Sequence, residues 1–73
     1  MIAVWWPAAE EDWRRPSYAD ADAVARAVQR WDEAGEGRVY AAGPTEYRLL
    51  VGSFVVVFYM QGDVTHVAQV RRA

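Results

Sequence analysis

The rhythm of hydrophobic and polar residues changes once along this chain, near Gly37. Before that point Ala21, Val24, Val28 and Trp31 recur at helical spacing, with Arg26, Gln29, Arg30 and Glu33 on the other faces, which predicts an amphipathic helix with one apolar stripe. Asp20 or Asp22 is suited to cap its start and Gly35 to end it. Upstream, Pro7–Arg15 reads as a shorter helix. Pro7 suits a first helical position, Glu10, Glu11 and Asp12 lie toward the positive end of the helix dipole, and Pro16 stops it. Ile2–Trp6 is short, β-prone and closed by that proline, as a first strand would be.

After Gly37 the period is two. Arg38–Ala42 is a predicted strand ended by Gly43-Pro44, Tyr47–Val51 and Phe54–Met60 form a hairpin about Gly52-Ser53, and Val64–Val70 follows a turn at Gly62-Asp63. Gly52 supplies the positive φ that a type II′ turn requires. The order β-α-α-β-β-β-β predicts an α+β fold, an antiparallel sheet with two helices packed on one face, in a single domain spanning residues 1–73.

A two-residue turn fixes which side chains share a face. It pairs Val51 with Phe54, Leu50 with Val55, Leu49 with Val56, Arg48 with Val57 and Tyr47 with Phe58. One face then carries Tyr47, Leu49, Val51, Phe54, Val56 and Phe58, a natural seat for the helices. The opposite face carries Glu46, Arg48, Leu50, Val55, Val57 and Tyr59, apolar at its centre and polar at one end. A strand that is apolar on both sides needs cover on both sides, so Leu50, Val55, Val57 and Tyr59 are expected to form an exposed partner-binding patch. The alternatives are that the N-terminal segment or a second copy of the chain covers it.

Composition sharpens that expectation. At 73 residues the chain buries only about 60% of its unfolded surface. It has no cysteine, so neither a disulfide nor a thiolate site can add stability, and a partner or homodimer remains open. The net charge of −2 gives no general attraction for nucleic acid. The longest apolar run, Phe54–Met60, is far shorter than the roughly 20 residues of a membrane helix, and the N-terminus lacks the basic region of a secretory signal; a cytoplasmic protein without membrane contact is expected.

With those elements in place, the N-terminal WWPAAEEDW, the amphipathic second helix and above all EYRLLVGSFVVVFY resemble the RelE/ParE superfamily of toxin–antitoxin toxins. The resemblance covers nearly the whole chain. It implies two helices on one side of a small twisted antiparallel sheet, a concave opposite face, a cognate antitoxin that wraps the toxin, and a bacterial protein with a part in plasmid stabilisation. Ribosome-bound messenger RNA or DNA gyrase would be the cellular target. Arg48 falls where the nuclease members place a basic residue on the concave face. Val55 stands where most members have an arginine and Leu50 where some have a second cation. The C-terminal VRRA leaves Arg71 and Arg72 near the position of the family's terminal basic pair.

These departures bear on chemistry. Cleavage through a 2′-oxygen needs a base, an acid and cations around the phosphate. Arginine is too weak an acid to exchange protons at neutral pH, so Arg48, Arg71 and Arg72 are candidate RNA or phosphate contacts more than proton carriers. The expected function is a toxin that binds its target without chemistry. The alternatives are a degenerate non-toxic interaction module or homodimer, and a ribosome-dependent nuclease using Arg48, Arg71 and Arg72 with the ribosome supplying much of the geometry.

His66 is the single histidine, and with Arg48 it is the candidate catalytic residue. A two-residue Gly62-Asp63 turn places it opposite Tyr59 on the concave face, whereas a three-residue loop turns it to the helices; a half-exposed structural histidine is the plainer reading. One histidine without cysteine makes no metal site, the scattered glycines make no phosphate loop, and no cofactor is expected. Trp5, Trp6, Trp13 and Trp31 are read as core or interface packing ahead of base stacking.

Overall fold

The computed structural model describes residues 3–73, so the part of the expected first strand at Ile2 lies outside the described residues. A two-residue strand β1 (Val4–Trp5) runs straight into helix α1 (Pro7–Trp13), with Pro7 inside its first turn. Arg14 is its C-terminal cap and Arg15 lies beyond it, so the helix ends two residues short of the expected end at Arg15. Helix α2 (Tyr18–Ala34) begins earlier than expected. Its cap is Ser17, whose hydroxyl accepts from the Asp20 N–H at 3.3 Å, so Asp20 falls in the first turn and Asp22 further inside. Serine directly after Pro16 wins because proline has already stopped the preceding helix. Gly35 ends α2 in the left-handed region at φ 66, donating to the Trp31 carbonyl at 2.8 Å. The Trp13 indole Nε1 donates to the Ala21 carbonyl at 2.7 Å and ties the two helices together.

The chain continues through β2 (Arg38–Ala41), β3 (Glu46–Val51), β4 (Phe54–Gln61) and β5 (Val64–Arg72). The five strands lie in the order β1-β5-β4-β3-β2. The sheet is antiparallel from β2 to β5, as expected, and mixed at its edge, where β1 runs parallel to β5. Because the two helices intervene between β1 and β2, those strands take opposite edges of the sheet. The two-residue turn at Gly52 holds, with φ 57, and every β3–β4 pair falls in the predicted register.

Helix-side burial follows from that register. Leu49, Phe54, Val56, Phe58, Val67 and Val70 from the sheet meet Ala9, Val24 and Val28 from the helices in one core, with Trp31 and Tyr47 packed against it. Trp31 and Tyr47 flank the Phe58 ring at centroid distances of 5.5 and 5.6 Å. Asp32, which the sequence reading left out of the stripe, is buried one turn beyond Val28, and its Oδ1 accepts from the Thr65 hydroxyl at 3.2 Å. Among the described residues no helix is long and apolar enough to cross a membrane.

One irregularity positions the open face. Phe58 pairs with Val67 but Val57 pairs with Gln69, so Ala68 is an extra residue in β5, a bulge. Without it, strict alternation from Thr65 and Val67 would carry Val70 to the open face and Arg71 to the helices. With it, Val70 enters the core and Arg71 faces out.

Candidate interaction face of the sheet

Register builds the face away from the helices as three cross-strand rows. The first is Arg38, Leu50, Val55 and Arg71; the second is Tyr40, Arg48, Val57 and Gln69; the third is Glu46, Tyr59, His66 and Val4. The Gly62-Asp63 turn has two residues, with Gln61 opposite Val64, which puts His66 opposite Tyr59 on this face.

Of the patch expected to be exposed here, Leu50 and Tyr59 are partly exposed and the two valines are buried. Val55 and Val57 are only 7% and 6% exposed, although neither belongs to the helix-side core. Both lie on the central strand, and each is flanked in its own row by longer side chains: Val55 by Leu50 and Arg71, Val57 by Arg48 and Gln69. Arginine and glutamine stems can lie along an apolar surface while their polar ends stay wet. The face is therefore a valine floor inside a polar and aromatic rim.

Trp6 forms part of that rim and was missed in the sequence, where its neighbour Trp5 and it were read alike. Alternation separates them. Trp5 turns to the helix side, with its ring 5.8 Å from that of Trp13, while Trp6 is 43% exposed and stacks on Tyr59 at 5.6 Å and an interplanar angle of 11°. His66 approaches the same indole at 6.4 Å, tilted by 58°.

Arg48 and Tyr59 converge on Glu46. The Arg48 Nη2 donates to Glu46 Oε2 at 3.4 Å, and the Tyr59 hydroxyl donates to Glu46 Oε1 at 3.1 Å. The Tyr40 phenol beside Arg48 raises the guanidinium pKa most, Glu46 adds to the rise, and burial opposes both, so Arg48 is a fixed positive charge. Tyr59 is raised from its ordinary value first by its hydrogen bond to Glu46 and then by that residue's charge, against a smaller lowering by Arg48. Its phenol is thus held as a donor. The Arg48 Nε is buried without a partner, a donor left unsatisfied at the rim of the floor.

The remaining candidates divide. Arg71 lies at the far end of the face in the Arg38 row, and neither of those two arginines makes an ion pair among the described residues. Arg72 leaves the face, its guanidinium carbon 4.9 Å from the Phe54 ring centroid, a cation–π contact on the helix side. Three arginines against one carboxylate make this face locally positive in a chain whose net charge is −2. Among the described residues no cluster of His, Asp and Glu could hold a metal ion. The arrangement can bind anions and stack planar groups. It places its one imidazole beside Tyr59 and Trp6, across strand β4 from Arg48.

No protein-family model matches the chain, and no curated protein matches it by sequence. Solved structures match it by shape. The toxin–antitoxin complex RelBE of E. coli contains a chain that superposes with a TM-score of 0.80 at 15% identity, covering 99% of this chain and 95% of that one. The RelB-RelE complex of Methanococcus jannaschii gives 0.78 at 10% identity over 94% and 88% of the two chains. The chromosomal ParDE system of P. aeruginosa gives 0.74 at 16% identity over 100% and 96%. At these identities the likeness is one of fold, and the chain has the α+β fold of RelE/ParE-like toxins.

Proposed function

We propose that this chain is the toxin component of a toxin–antitoxin module and that it acts by binding its target through the open face of the sheet, without chemistry. The observation that carries the proposal is the state of that face: Arg48 is committed to Glu46, and the two central positions are buried valines. A phosphate bound there would find no free cation at the middle of the sheet, only Arg38 and Arg71 at its ends. Positioned charge is what phosphoryl chemistry most needs. Target recognition instead rests on the exposed Trp6 ring, the Tyr59 and Tyr40 phenols and the two free arginines, with an antitoxin segment covering the same rim in the neutralised complex.

Induced expression in growing bacteria tests this reading. The wild type arrests growth, and Trp6→Ala or Arg71→Glu relieves the arrest while leaving a folded, soluble chain. Growth unaffected by a soluble, folded wild type would overturn it.

A further inference from the structure

On the helix side, a cavity of about 570 Å³ opens between β1, α1 and α2. Trp5, Trp13 and Val28 supply apolar walls, Asp32, Glu33 and Glu10 supply carboxylates, and Arg14 lines the rim beside Glu10. The Trp5 and Trp13 rings stand 5.8 Å apart and tilted by 58°, forming one corner. Asp32 is the unusual member. It is 4% exposed, and its Oδ1 is engaged by Thr65. Its other oxygen makes no hydrogen bond among the described residues, and Asp32 is one of the residues that line the cavity. The rim charges are already occupied at the surface: Glu10 lies 3.9 Å from Arg14, and Glu33 accepts from Gln29 at 3.0 Å.

We propose that this cavity receives the guanidinium of an arginine side chain presented by a partner protein. A carboxylate nine-tenths buried, with one oxygen free of protein partners, gains from a charged donor that reaches it out of bulk water. Guanidinium suits the site better than ammonium for physical reasons. It is planar and weakly hydrated, so it enters an aromatic corner at lower desolvation cost, and it stacks on indole while its N–H groups reach a carboxylate. The arginine stem would lie along Val28 and the tryptophans. The cavity falls in the size range of sites that enclose a small organic group. The site lies on the opposite side of the sheet from the face discussed above, and the inference does not depend on the toxin reading.

The experiment is an NMR titration of the intact chain with N-acetyl-arginine methylamide, following the indole N–H signals of Trp5, Trp13 and Trp6. Saturable shifts are expected at Trp5 and Trp13 and not at Trp6. The neutral isostere N-acetyl-citrulline methylamide is expected to bind at least about tenfold more weakly, as is the arginine compound to Asp32→Asn, the loss of one charge-assisted hydrogen bond. Glu33→Gln, on the exposed rim, should change affinity by less than about threefold, because a screened surface charge contributes little. The citrulline comparison stands even if Asp32→Asn fails to fold. Absence of saturable shifts, equal binding of citrulline, tighter binding of the lysine analogue, or shifts confined to Trp6 would each overturn the proposal.

Discussion

Arg48 and Glu46 leave β3 on the same face, two residues apart, and meet at 3.4 Å with side chains 33% and 26% exposed. An arginine at this position in a phosphate-handling site would have to be free. Here Glu46 holds it, and Glu46 in turn holds the Tyr59 phenol at 3.1 Å. Replacing Glu46 with Gln removes the charge that pairs with Arg48 and leaves one acceptor oxygen for two donors, which frees the guanidinium from its ion pair. The Glu46→Gln chain is expected to bind a short single-stranded oligonucleotide more tightly than the wild type, with a steeper salt dependence, because one more arginine is free to displace counterions. Fluorescence anisotropy at several salt concentrations measures it.

Tyr59 gives the chain an alkaline signature. Its pKa is raised in the folded state, chiefly by Glu46, so between the ordinary tyrosine pKa of about 10 and the raised value the native state holds a proton that the unfolded state has lost. Stability from this group is fully present below that window and falls as pH rises through it. Urea unfolding across the alkaline range should show this fall, and Tyr59→Phe and Glu46→Gln should each flatten it.

Two glycines of positive φ differ in surroundings. At Gly37, φ 146, a Cβ would lie 2.9 Å from Leu49 Cδ1, and Leu49 is fully buried in the core with no room to retreat. At Gly62, φ 59, nothing lies within 4 Å. Gly62→Ala should cost about 1 kcal/mol, the left-handed penalty alone, and Gly37→Ala about 3 kcal/mol, strain and clash together. Chemical denaturation of the two variants checks the order.

Neighbouring valines of β4 test the two kinds of cover. Val56 is fully buried in the helix-side core, whereas Val57 lies on the opposite face, flanked in its row by Arg48 and Gln69. Val56→Ala should cost about 2–3 kcal/mol because helix packing cannot collapse into the gap, and Val57→Ala about 1 kcal/mol because mobile arginine and glutamine stems can.

Most of the fold was legible in the chain. The β3–β4 register followed from a glycine turn of known length, and α2 from its spacing and from Gly35. The parts that escaped had physical reasons. Ser17 outcompeted two aspartates as a cap because Pro16 set where the helix could start. The parallel pairing of β1 depends on where two helices deliver the chain, which no local pattern records. Asp32 sits at i+4 from Val28, on the stripe, but a carboxylate there reads as surface until Thr65 is seen opposite it. The bulge at Ala68 left a trace in the break of alternation between Val67 and Val70. Reading it would have placed Arg71 on the open face and Arg72 on the helix side. Trp6 was separable from Trp5 by strand alternation alone. The cover of Val55 and Val57 was not visible, because it comes from side chains on the two neighbouring strands, β3 and β5.

The most direct test of binding without chemistry is a translation extract carrying one reporter message, supplied with the purified chain and examined for message length and protein output. The account predicts that full-length message persists and that Arg48→Ala changes nothing in its integrity. Cleavage within the translated region, abolished by Arg48→Ala or His66→Ala, would contradict it.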